Sequence, residues 1–266
     1  MNIAITTPID RNLYVGLLIQ RLDQVGLKPT CILSLGPTDL PRKLRGRVGE
    51  LVRSRHSMAA SLKFLSEYAH SHGLSVDPDL AALCRKLGIA YARAPSLSNA
   101  LAAEAMRLHQ IDLLLNGGGG IFRKALLEAV KVGVLNPHMG RLPHYRGYNV
   151  MEWMVLAGEM PCSTLHFVDT GLDTGDILLH RPIRRDELPA EMTLQGIRDR
   201  MGPVHLELLV EGARRLSQGT LKRIAQTAEQ GRQYFVMHSK LKAQAEARLR
   251  RGDVRAVVDP AIPSFP

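Results

Sequence analysis

Residues 2–35 read NIAITTPIDRNLYVGLLIQRLDQVGLKPTCILSL. Asn2 to Thr7 alternates apolar and small side chains, a strand pattern. Leu13, Leu17, Leu18 and Leu22 then recur at helical spacing, and Gly26 supplies a stop. Thr30 to Leu35 is a short apolar run between Pro29 and Gly36-Pro37, hence a second strand. A strand, a helix and a strand in immediate succession predict parallel pairing, because the helix is the crossover that carries the chain back to the sheet. Such crossovers are right-handed.

The alternation continues outward from this opening. Helices are expected over 58–69, 78–87 and 98–108, the last capped by Ser98 or Asn99, with a short strand at Ile89 to Ala92. Ile111 to Leu115 is the clearest buried strand, and it runs into Asn116 and four consecutive glycines. A helix over Arg123 to Val130 leads to a strand from Gly133 to Leu135, which ends at Asn136-Pro137-His138. After a loop, a helix spans Val150 to Ala157, and strands at 163–168 and 177–183 flank a turn at 170–175. A long helix covers 194–216, with Gly202-Pro203 as a candidate break, and 257–266 reads as a loose end. The expectation is an α/β fold: a doubly wound, mostly parallel sheet over residues 1–185, with a helical or mixed C-terminal extension over 186–266.

Composition narrows the class. The 266 residues are 45% hydrophobic and 23% charged, ordinary for a globular chain. No run of about 18 apolar residues exists to cross a membrane, and the N-terminus lacks the pattern of a secretory signal, so a cytoplasmic protein without a membrane partner is expected. Cys31, Cys84 and Cys162 are widely spaced, which supports neither a disulfide framework nor a cysteine metal site. No metal is expected. The net charge of +10, with a basic segment at 42–56, would steer an anionic partner.

Open parallel sheets bind ligands beyond the carboxyl ends of their strands, where the glycine run, Asn136-Pro137-His138 and the 170–175 turn all lie in this reading. The block from Val132 reads VGVLNPHMGRLPHYRGYNVMEW and continues from Pro161 as PCSTLHFVDTGLDTGDILLHRPI. With N-x-H, L-P-x-Y-R-G, H-F-V-D and G-L-D-T-G-D-I-L in order, residues 111–183 resemble the formyltransferase family, which shares a Rossmann-like fold. That family includes methionyl-tRNA, glycinamide ribonucleotide and nucleotide-sugar enzymes, and a formyltetrahydrofolate hydrolase.

The resemblance implies one-carbon transfer from N10-formyltetrahydrofolate to an amine, with Asn136, His138 and Asp173 as the catalytic residues. The chemistry suits them: attack on the formyl carbon creates an oxyanion that an amide and an imidazole can stabilise, and a carboxylate can relay the proton. The resemblance also implies a folate slot built from Gly117, Gly118, Gly119, Gly120, Ile121 and Phe122, and from Val168, Asp169, Thr170, Gly171 and Leu172. For the acceptor it implies a small amine: an amino sugar, an amino acid or a natural-product intermediate. The first loop, Thr6 to Asn12, lacks the glycines expected for a phosphorylated acceptor. Residues after Ile183 do not read as the barrel of the tRNA enzyme, and no regulatory segment precedes the first strand. The alternatives are a tRNA modifier, a hydrolase or a catalytically silent folate-binding protein. A homodimer is compatible with the family.

Overall fold

The structure, a computed structural model, describes residues 1–35, 61–76, 79–184, 187 and 192–265. The basic segment 42–56 lies outside them, as does the start of the helix expected over 58–69. Packing divides the chain into two units, Met1–Leu135 and Asn136–Pro266. The region expected to be catalytic, 1–185, therefore takes in all of the first unit and part of the second.

In the first unit, β1 (Ile3–Thr7), α1 (Leu13–Gln24) and β2 (Cys31–Leu35) form the expected opening. Residues 61–71 are helical, followed by α2 (Leu80–Leu87), β3 (Ala90–Ala94), α3 (Ala100–Leu108), β4 (Leu113–Leu115), α4 (Lys124–Leu127) and β5 (Gly133–His138). The strands are parallel in the order β3-β2-β1-β4-β5, with Ile5 opposite both Ile32 and Leu115. Every residue of β1, β2 and β4 is buried, the mark of strands covered on both faces. Asn12 caps α1 by accepting from Val15 N, and Asn99 caps α3.

The last three residues of β5, Asn136 to His138, belong to the second unit. There the chain forms β6 (Tyr145–Gly147), α5 (Val150–Leu156), β7 (Cys162–Phe167), β8 (Ile177–Pro182), α6 (Leu194–Ser217), a short 3-10 turn, β9 (Arg232–Tyr234) and α7 (Ser239–Arg250). β7 follows β5 in the sheet order, and β8 runs antiparallel to β7. β6 and β9 make a separate parallel pair. The central sheet is thus mostly parallel, as expected.

Two expectations are corrected. The helix over 194–217 runs through Pro203 without a break. Leu194, Ile197, Met201, Val204 and Leu208 keep one buried stripe across it, and that packing outweighs the roughly 3 kcal/mol cost of an interior proline. The C-terminal segment is also not loose. His180 N donates to Pro263 O and Phe265 N to His180 O, while Ile262 packs on Leu142 and Ile177. Among the described residues, no helix is long and apolar enough to cross a membrane.

Candidate active site

Alternation along β5 places Asn136 and His138 on the same side of the strand. β7 brings His166 alongside, and the chain then turns through 168–175 before β8. Within that turn Asp173 adopts a left-handed conformation, φ 55°, which Asp tolerates better than most side chains. Gly175 closes the turn, because a Cβ there would lie 2.1 Å from Phe167 O.

The three side chains singled out by sequence come together in the second unit. His138 Nδ1 lies 3.5 Å from Asp173 Oδ2, and both groups are largely shielded, with side chains 8% and 15% exposed. His138 Nε2 lies 2.9 Å from the carbonyl of Tyr145, which can only accept, so Nε2 carries a proton. The Asp173 carboxylate is held by Gly147 N–H, which donates to Oδ2 at 2.9 Å. Of the turn's other aspartates, Asp169 is exposed and accepts from Gly171 N–H and the Thr174 hydroxyl, an internal turn role.

His166 is a fourth member that motif reading did not assign. Its Nδ1 lies 2.7 Å from Phe167 O and so carries the hydrogen, leaving Nε2 to accept from Asn136 Nδ2 at 3.0 Å. Complete burial, followed by the nearby His138, pushes its pKa down to about 4, against the opposing pull of Asp173. The imidazole is therefore neutral near pH 7, which this pattern requires. Asp173 Oδ1 is 3.8 Å from the same Nε2, and the two histidine rings meet edge to face at 6.0 Å. The H-F-V-D match contains His166, but nothing in spacing alone links it to a residue 30 positions earlier.

The residues expected to line a folate slot divide between the units. In the first, Thr6 Oγ1 accepts from Gly117 N–H and donates to Gly118 O, tying the glycine run to the end of β1. A Cβ at Gly117 would sit 2.2 Å from Thr6 O, and one at Gly119 would sit 2.4 Å from a Leu35 methyl. Those two glycines answer to internal packing. Gly120 faces open space, Ile121 is 67% exposed and Phe122 is buried. In the second unit Asp169 to Leu172 are exposed and Val168 is half-buried. Among the described residues no cluster of three or more His, Cys, Asp or Glu side chains could hold a metal ion.

Comparison with known proteins bears on the family. The formyl transferase family model matches residues 63–211, over half of the chain. A methionyl-tRNA formyltransferase from Citrifermentans bemidjiense is 42% identical over 106 residues, covering 39% of this chain and 32% of that protein. The chain spans about a third of the length of the first curated relatives it matches. Among solved structures, a sugar N-formyltransferase from Shewanella sp FDAARGOS_354 superposes with a TM-score of 0.56 at 14% identity, over 94% of this chain and 87% of that one. An N-formyltransferase from Helicobacter canadensis, in complex with folinic acid and dTDP-3-aminofucose, gives 0.53 at 15% identity, over 97% and 84%. At such identities the structural likeness concerns the fold. The family match over residues 63–211 carries the assignment: this chain belongs to the formyl transferase family.

Proposed function

We propose that this protein transfers a formyl group from N10-formyltetrahydrofolate to a primary amine, with Asn136, His138 and Asp173 as its catalytic residues. The observation that carries the reading is the convergence of an oriented amide, an imidazole and a carboxylate at the end of β5. The folate supplies a formyl carbon open to attack by nitrogen. Asn136, whose amide nitrogen is fixed by His166, donates to the oxygen as negative charge develops there. His138 keeps its Nε2 proton on Tyr145, so the mobile proton is the one at Nδ1. As the tetrahedral adduct collapses, the attacking amine gives up one proton and the departing folate nitrogen takes one up. The pair of His138 Nδ1 and Asp173 Oδ2, 3.5 Å apart, accepts and returns it.

The residues this reading assigns to the folate are Gly117 to Phe122 in the first unit and Val168 to Leu172 in the second. Taken separately, the first unit offers open backbone at Gly120 and the second offers exposed backbone from Asp169 to Leu172, each suited to contact through main-chain groups. The acceptor we favour is a small amine-bearing metabolite such as an amino sugar, in line with the fold shared with sugar N-formyltransferases. A methionyl-tRNA amine is the second reading, favoured by the 42% identity to a tRNA enzyme. A cytoplasmic setting belongs to the same proposal.

The test is a mass-spectrometric screen in which the donor is offered with nucleotide-linked amino sugars, amino acids and aminoacylated initiator tRNA. One class should gain a single formyl group. Formate release without any acceptor would make the protein a hydrolase instead. His138→Ala and Asp173→Ala should each lower turnover by about 100-fold to 10,000-fold while folate binding survives. Either variant turning over at the wild-type rate would remove that residue from the mechanism.

A further inference from the structure

The turn that carries Asp173 is held from outside the matched sequence block. Gln226 Nε2 donates to Asp173 O at 3.1 Å and to Gly175 O at 2.6 Å. Both partners are carbonyls, so the atom between them must be the amide nitrogen, and the side chain's orientation is settled. Gln226 is itself fixed in place, because Ile224 exchanges both backbone hydrogen bonds with Ile177 at the start of β8, at 2.8 and 2.9 Å. One side chain thus pins the two carbonyls that bracket Thr174, in a turn whose Asp173 sits at φ 55°.

We infer that Gln226 is a positioning residue: by fixing the backbone of the 173–175 turn it aims the Asp173 carboxylate at His138. The inference rests on the catalytic role proposed for Asp173. The carboxylate's direction has two determinants, the Gly147 N–H on Oδ2 and the backbone from which the side chain springs. With both in place Oδ2 stands 3.5 Å from His138. The other end of the amide sharpens the case. Gln226 Oε1 is buried and has no hydrogen-bond partner among the described residues. An apolar side chain of equal length would avoid that unsatisfied acceptor, so what the amide contributes here is its pair of bonds to the turn.

The experiment compares wild type, Gln226→Met and Gln226→Glu. Met keeps the length and removes both donors together with the stranded acceptor. Glu keeps the shape but presents only acceptors at neutral pH. We expect kcat to fall at least about tenfold in each, since sub-ångström misplacement of a reacting group is costly. KM for donor and amine should stay within about threefold, with the folded fraction measured by circular dichroism so that the fall in kcat is counted per folded molecule. The Gly147 amide proton, which donates to the Asp173 carboxylate, should shift in the NMR spectrum of both variants.

A folded variant with kcat within about twofold of wild type, or with an unmoved Gly147 resonance, overturns the inference. Collapse of both variants overturns it too, because the residue would then be structural. A wild-type protein that formylates nothing would sink the catalytic reading alone. The Gly147 resonance would still decide whether Gln226 aims Asp173.

Discussion

At the scale of single residues, the site depends on which nitrogen of each imidazole carries a proton. His166 is the clearer case. Its Nδ1–H is committed to Phe167 O, burial keeps the ring neutral, and Nε2 is left as an acceptor for Asn136. Replacing it with Phe preserves bulk and removes the acceptor that meets the Asn136 amide nitrogen. We expect His166→Phe to lower kcat by about 10-fold to 100-fold, part of what losing an oxyanion donor costs. His166→Gln, which can offer a carbonyl in the same direction, should recover part of the loss. Equal rates in the two variants would show that the contact does nothing for the reaction. The spacing of Asn136 and His138 was legible because a strand repeats every two residues. His166 and Gln226 were not, since their roles depend on the β7 register and on a return of the chain some 50 residues after the turn, as the 53-residue separation from Asp173 shows.

At the scale of elements, the opening strand–helix–strand unit and the strand before the glycine run were readable because each buries a periodic or continuous apolar set. β6 and β9 were invisible, as three-residue strands are too short to show alternation. Their pairing is instead marked by stacking of Tyr145 on Tyr234, with ring centroids 5.2 Å apart, and by Gly147 and Gly231, where any Cβ would strike backbone. The glycine run was legible as a motif but not in its division of labour. Gly117→Ala drives a methyl into Thr6 O and a Val15 methyl at the core of the first unit, and should cost about 3 kcal/mol or more of stability whether or not folate is bound. Gly120→Ala meets no atom within 4 Å, but its φ of 110° is strained for alanine, a cost on the order of 1–3 kcal/mol. Both lie in the stretch assigned to the folate, but only Gly120 is open: Gly120→Ala should lose folate affinity beyond any loss of stability, and Gly117→Ala only in step with its loss of stability. Thermal melts with and without a folate analogue separate the two, and identical behaviour would refute the division.

At the scale of the whole molecule, the second unit carries an acid sensitivity that follows from its buried imidazoles. His166, His180 and His205 are each pushed down to about 4, in every case chiefly by burial. Each is used as a neutral partner: His180 Nε2 meets Leu142 O at 2.9 Å, and His205 Nε2 meets the Ser163 hydroxyl at 3.0 Å. In the unfolded chain the same imidazoles take up protons near the ordinary histidine pKa of about 6.5. Between about pH 6.5 and 4 the unfolded state therefore binds more protons than the folded one, and stability rises with pH across that window. The contribution is complete above about 6.5 and drains away on acidification. Each histidine contributes up to about 1.4 kcal/mol per pH unit inside the window, so three acting together would remove several kcal/mol by pH 5. That is a large share of the 5–15 kcal/mol typical of a domain. Urea unfolding followed at pH 7.5, 6.0 and 5.0 should show the midpoint falling at each step. His180→Gln, at a residue whose ring meets Leu142 O and whose backbone pairs with the C-terminal segment, should reduce the proton uptake on unfolding by about one. A midpoint unchanged from pH 7.5 to 5.0 would mean that these imidazoles are charged in the folded protein, and with that the neutral His166 that orients Asn136 would be lost.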